Sequence, residues 1–145
     1  MSAKCFNQTY TNIELIVLDD GSTDSSTQII QEVLKDSPFD TKFETHENLG
    51  VVNNRNLGLE LIRGDYLLFV DSDNYLDADY VEQLYSKLTE TNADIVYCDL
   101  FNPEKEEFYL KSREFDLTAF LNTSFIDNCS LIRRSIIGNA RMMRS

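Results

Sequence analysis

The chain has 145 residues, 42% of them hydrophobic, enough for one domain with a core of its own and too few for two well-built ones. Thirteen basic residues against twenty-five acidic ones leave a formal charge of -12, which disfavours nucleic acid and anionic lipid as partners. No apolar run approaches the roughly eighteen residues of a membrane-spanning helix, and the opening "MSAKCFNQTY" lacks the apolar centre of a secretory leader, so a cytoplasmic chain without a membrane span is expected.

In chain order, "IELIVL" (13–18) is apolar and β-branched enough for a strand buried on both faces. The period then changes: Ile29, Ile30, Val33 and Leu34 recur at helical spacing, with Ser22 or Asp24 as the cap. "TKFETHE" (41–47) reads as a short strand, and a helix runs from Gly50 through Leu57 and Leu61 until Gly64 stops it. "YLLFV" (66–70) is another buried strand, Asp77 is placed to cap a helix carrying Val81, Leu84, Tyr85 and Leu88 on one face, and "DIVYCD" (94–99) is a further strand. After Asp99 the pattern weakens. "FNPEKEEFYLKSREF" reads as an antiparallel excursion or a loop, "DLTAFLNTSF" as a short helix, and "NCSLIRRSII" as a strand entering a turn. Strands alternating with helices predict an α/β domain, a mainly parallel sheet with helices on both faces.

Cys5, Cys98 and Cys129 share no CxxC spacing, so neither a disulfide framework nor a zinc site is indicated. The single histidine, His46, follows a strand and reads more simply as a loop residue than as a general base. Basic residues gather at the end, Arg133, Arg134, Arg141 and Arg144, as a phosphate-facing loop or a solvated tail.

Two apolar strands end in acid: "IVLDDGSTDSS" in Asp19 and Asp20, "YLLFVDSDNYLD" in Asp71 and Asp73. Ligands of α/β sheets sit at the carboxyl ends of strands, and carboxylates buried there need a cation or hydrogen-bond donors. Asp71 and Asp73 can converge on one hard divalent ion, Mg²⁺ or Mn²⁺, which keeps positions for water and phosphate oxygens. An EF-hand loop is excluded, since Leu76 stands where that loop needs glycine and a strand precedes it. An aspartyl-nucleophile phosphatase and a phosphate-receiver domain stay open as weaker readings, because neither finds its lysine downstream.

The stretches "NQTYTNIELIVLDDGSTDSS" and "NLGVVNNRNLGLELIRGDYLLFVDSDNYLDADYVEQLY" closely resemble the family 2 inverting glycosyltransferases of the A-type, nucleotide-diphosphosugar-binding fold. The resemblance runs from about Phe6 to Asp99 and more weakly through "NCSLIRRSII". It implies one partial glycosyltransferase domain over 1–145, with 6–99 as the nucleotide-sugar-binding part and 100–145 as the start of an acceptor-side part. It also implies that Asp20 hydrogen-bonds the base, usually uracil, while Asp19 shapes the pocket and Arg55 lies near the nucleotide. Asp71 then reaches the ribose or metal-bound water, and Asp73 is the direct metal ligand beside the diphosphate. The partners so implied are a nucleotide-diphosphate sugar, usually uridine-based in this family, and a carbohydrate or lipid-linked acceptor in polysaccharide or glycoconjugate synthesis, with membrane association through the acceptor or other partners.

Asn74 departs from the family pattern, which often has a third acid there. The family's opening strand and its general base are both expected and both lack a match in the chain; Asp116 and Asp127 are the nearest acids in order to that base. The chain is therefore expected to resemble the middle of an enzyme, with a catalytically inactive nucleotide binder, or a fragment that only self-associates, as the competing reading. A nucleotidyltransferase is a weaker third class, for want of a glycine-rich basic loop. Without the opening strand, "IELIVL" and "YLLFV" would flank a gap, to be closed by direct pairing, by "SAKCFNQTY", or by a second chain in a homo-oligomer.

Overall fold

The structure, a computed structural model, describes residues 3–138. A 3-10 turn at Ala3–Asn7 precedes β1 (Glu14–Asp19), α1 (Ser26–Leu34), β2 (Asp40–Thr45), α2 (Val51–Leu61), β3 (Tyr66–Leu68), α3 (Tyr80–Thr91) and β4 (Ile95–Val96). β5 (Leu100–Asn102), β6 (Glu107–Leu110), α4 (Leu117–Asn122), β7 (Leu131–Arg133) and α5 (Arg134–Ile137) complete it. The expected α/β alternation is present through β4, and the ambiguous stretch after Asp99 is a hairpin of β5 with β6. No helix among the described residues is long and apolar enough to cross a membrane.

The ladders are more mixed than strand–helix alternation predicts. β1 and β2 pair in parallel from Glu14 opposite Asp40 to Asp19 opposite Thr45. β3 and β4, parallel to one another, flank β7, and each pairs with it antiparallel. β7 enters between strands that precede it by more than thirty residues in the chain, and such a long-range insertion leaves no periodic trace in the sequence.

Core formation follows the helical spacing of α3. Leu84 and the fully buried Leu88 pack on Leu131 of β7, with Leu68, Tyr80, Tyr85 and Val96 around them. Burying each leucine contributes about 1.5–3 kcal/mol, and β7 thereby secures α3 to β3 and β4. The helix caps differ from expectation. Asp79, not Asp77, stands at the α3 N-cap, and its carboxylate accepts from Gln83 Nε2 at 2.6 Å rather than capping a backbone N–H. Instead the buried Gln8 accepts the Val81 N–H at 3.0 Å and donates to the Asp77 carbonyl at 2.7 Å. A residue more than seventy positions away thus satisfies an N–H that local sequence would assign to an Asp. At α1, Ser25 is the N-cap and Asp24 takes the Ser26 N–H at 2.9 Å.

β1 and β3 share no ladder. A cavity of about 680 Å³ lies between them, bordered by Leu15 and Val17 on one side and Leu67 and Phe69 on the other. Direct pairing of these strands, one of the expected closures, does not occur. The segment before β1 reaches the cavity with Cys5, Gln8 and Tyr10, but as a 3-10 turn anchored by Thr9 N–H on the Ala78 carbonyl (2.8 Å) rather than as a strand. At the opposite end from the acids, Glu14 accepts from Arg63 Nε (3.0 Å) and from the Gly64 N–H (2.6 Å), fastening the end of α2 to the start of β1.

Candidate functional site

The site is built on the turns that follow β1 and β3 and on the helix between them. Asp19 ends β1 and is only 5% exposed. It accepts from the Ser22 hydroxyl, from Thr27 Oγ1 at 2.9 Å and from Thr45 Oγ1 at 3.1 Å. These hydroxyls, Ser22 foremost, hold its carboxyl below the ordinary carboxylate range against the opposing effect of desolvation. With its oxygens so occupied, Asp19 fixes the turn.

Asp20 turns outward. Its Oδ1 accepts the Leu49 N–H at 2.7 Å and its Oδ2 the Gly50 N–H at 3.0 Å, so one carboxylate clasps the loop that opens α2. Gly21 follows at φ +81°, where a Cβ would stand 2.7 Å from the Asn48 nitrogen; only glycine lets this turn lie against the clasped loop. Gly50 has open space around it, and what it supplies is its positive φ of 78° at the start of α2.

Arg55, on α2, donates from Nη2 to Asp71 Oδ1 at 2.7 Å and lies 5.7 Å from the centre of the Phe69 ring. Asp71 begins a turn closed by the Asn74 N–H on its own carbonyl at 3.0 Å. Asn74 donates its amide to Cys129 Sγ at 2.9 Å, and Tyr80 Oη donates to the Cys129 carbonyl at 2.7 Å. The residue that departs from the acidic pattern therefore ties the turn to the segment before β7. Burial, above all, pushes the Cys129 thiol up to about 11, keeping it a neutral partner for that amide.

Asp73, on the same turn, is exposed and makes no hydrogen bond or ion pair with a described residue. Asp71 keeps Oδ2 unengaged by the hydrogen bonds described above. No three acidic, histidine or cysteine side chains converge on one metal position among the described residues. Two carboxylates on a tight exposed turn, one of them uncommitted, fit a hard cation whose remaining positions come from water and a bound ligand.

Two contacts escaped the sequence reading. His46 lies 3.5 Å from Asp20, and the Asn74 amide reaches Cys129. Each joins segments far apart in the chain, and no spacing rule marks such a contact. The basic end is structural where it is described: Arg133 pairs with Asp94 at 3.0 Å and Arg134 Nη1 reaches the Ile62 carbonyl at 3.3 Å. Arg141 and Arg144 lie outside the described residues. The two substitute acids each hold a backbone N–H: Asp116 accepts that of Ala119 at 2.6 Å as the cap of α4, and Asp127 accepts that of Cys129 at 2.9 Å.

An α/β domain with a carboxylate after one strand, an acidic pair after another and an arginine between them gathers its charged groups at the carboxyl ends of the strands, where sheets of this class place their ligands. The chain belongs to Glycosyl transferase family 2, whose profile matches residues 3–144. It is 37% identical over 127 residues to glycosyltransferase GlyA of Streptococcus pneumoniae serotype 4, an alignment covering 83% of this chain and 18% of GlyA. It is 42% identical over 101 residues to an uncharacterized glycosyltransferase of Haemophilus influenzae, covering 66% of this chain and 40% of that protein. The chain thus spans less than half the length of either relative. The crystal structure of S. aureus TarS shares the fold with a TM-score of 0.70 at 20% identity, over 90% of this chain and 25% of TarS. TarS 1-349 in complex with UDP-GlcNAc gives 0.69 at 20% identity, over 90% of this chain and 40% of that one.

Proposed function

We propose that the site binds a nucleotide-diphosphate sugar with a uracil base and serves transfer of its sugar to a carbohydrate or lipid-linked acceptor in polysaccharide or glycoconjugate synthesis. The observation that carries this reading is the Arg55–Asp71 contact, which sets a guanidinium beside the acidic turn that ends β3. A guanidinium there retains further N–H donors for a diphosphate, and the neighbouring uncommitted Asp73 leaves room for a cation. Asp20, held by two backbone N–H groups, has lone pairs left to accept an imide N–H of uracil. The TarS complex with UDP-GlcNAc, on the same fold, supports the choice of donor class.

In this reading Asp71 and Asp73 would hold Mg²⁺ or Mn²⁺, whose chemistry is to neutralise the diphosphate as it leaves the sugar. Asp20 orients the base, Arg55 orients the phosphates, and Asp19 keeps the Asp20 turn in place. The competing reading, donor binding without turnover, is favoured by one observation: Asp116 and Asp127 each give one carboxylate oxygen to a local backbone N–H, Asp116 as the cap of α4 and Asp127 in the turn before β7, so their visible roles are structural.

Thermal melts with uridine, adenosine and guanosine diphosphates, each with and without Mn²⁺, test the donor class. The proposal expects the uridine nucleotide to raise Tm most, and only with metal. Equal shifts for all three nucleotides, or a shift indifferent to metal, contradict it.

A further inference from the structure

The proposed donor site uses carboxylates and an arginine, and leaves the single histidine of the chain unassigned. That histidine is built into the site's framework. His46 follows β2, and its own N–H donates to the Asp19 carbonyl at 3.3 Å. Its imidazole Nδ1 lies 2.9 Å from the Glu47 carbonyl oxygen and 3.5 Å from Asp20 Oδ1, while Nε2 lies 3.2 Å from Asn54 Oδ1. Both ring nitrogens thus face oxygen acceptors. A neutral imidazole carries one N–H and can satisfy one side; the imidazolium carries two and satisfies both.

We infer that His46 is a positioning residue for donor binding, which in its protonated form ties Asp20 and the loop before α2 to Asn54 on α2, and so couples donor affinity to pH. The inference rests on the proposed role of Asp20 as the base-binding carboxylate. Asn54 immediately precedes Arg55, so the link reaches from one strand end to the residue that meets Asp71. The charged groups facing the ring come from the end of β1, Asp20 directly and the buried Asp19 behind it; from its own segment comes the Glu47 carbonyl, and from α2 the neutral Asn54. The Glu47 carbonyl first, then Asn54, Asp20 and Asp19, raise the imidazole above its ordinary value of 6.5, with desolvation opposing them. The His46 and Asp20 side chains are 19% and 22% exposed, so a base resting on Asp20 would remove water from the pair and strengthen its attraction. Loss of the proton leaves one acceptor unpaired and loosens the clasp on α2.

Because the chain holds one histidine, imidazole NMR reports this group without ambiguity. The test is a titration from about pH 5.5 to about pH 8.5 of the free protein and of the protein with UDP-GlcNAc and Mg²⁺, alongside donor affinity at each pH. UDP-GlcNAc is the probe because its esterified diphosphate lacks the terminal phosphate ionisation, near 6, that would confuse a titration with uridine diphosphate. We expect the imidazole pKa to rise on donor binding and donor affinity to fall about fivefold or more as pH passes upward through it. In His46→Gln that pH dependence should vanish, and in Asp20→Asn the imidazole pKa should drop. Donor binding with an unmoved imidazole and a flat pH profile overturns the inference while leaving the donor site standing. No binding of UDP-GlcNAc at any pH overturns the donor reading, and the inference with it.

Discussion

Arg55 and Asp71, sixteen residues apart, meet at 2.7 Å and join α2 to the turn that ends β3. Their side chains are 20% and 46% exposed, so the pair is shielded on the arginine side and open on the acidic side. A ligand phosphate can reach the guanidinium without entering the core. Arg55→Ala removes a charged donor and leaves Asp71 to repel a diphosphate; at about 1.5–3 kcal/mol for such a hydrogen bond, affinity for uridine diphosphate should fall by roughly ten- to a hundredfold. Arg55→Lys keeps the charge and loses the fork, so its loss should be intermediate. Calorimetric titration of both variants checks this, and an unchanged Arg55→Ala contradicts it.

Asp19 and Asp20 are neighbours with separable effects. Asp19→Ala strips the partner from three hydroxyls around a buried carboxylate, which should cost on the order of 1–3 kcal/mol of stability, read as a lowered Tm. Asp20→Ala should weaken nucleotide binding by more than it lowers Tm. The pH dependence follows from the lowered Asp19 pKa. Its stabilisation is present above the ordinary value of 3.8 and is lost as pH falls through the lower folded value. Circular dichroism during acid titration should therefore show Asp19→Asn losing less of its remaining stability than the parent in that range.

Asn74 and Cys129 test how the acidic turn is held. Cys129→Ala deletes the sulfur that accepts the Asn74 amide at 2.9 Å. The expected result is weaker Mn²⁺-dependent nucleotide binding with little change in the Tm of the free protein, and partial recovery in Cys129→Ser, whose hydroxyl can accept the same amide. A lowered Tm of the free protein with unchanged nucleotide binding would mean that the contact serves general stability only.

The cavity between β1 and β3 leaves one edge of each strand without a ladder partner among the described residues. Unpaired edges attract further strands, so the chain is expected to associate as concentration rises, or to melt at a low temperature as a monomer. Light scattering with a parallel melt decides this. A stable monomer with a cooperative transition across the concentration range contradicts it.

How much of this was legible in the sequence depends on the range of the contacts. The strand β1, the apolar face of α3 and the acidic strand ends are local patterns, and they lie where periodicity puts them. β3 and β4 are shorter than their apolar runs, since β7 pairs with three residues of one and two of the other. The place of β7, the Gln8 cap of α3 and the links of Asn74 to Cys129 and His46 to Asp20 depend on residues brought together only by the fold. Asp20 was visible as an acid at a strand end, whereas its clasp on the Leu49 and Gly50 N–H groups required the turn at Gly21.

Metal-dependent donor binding at the β3 end is the central claim, and calorimetric titration of uridine diphosphate with Mn²⁺ into the parent and into Asp73→Ala tests it most directly. Asp73 makes no hydrogen bond or ion pair with a described residue, so its removal should leave the fold and Tm intact. The account predicts binding by the parent that disappears on chelation and is weakened at least tenfold, about 1.4 kcal/mol, in Asp73→Ala. Binding that persists without metal, or that Asp73→Ala retains unchanged, would contradict it.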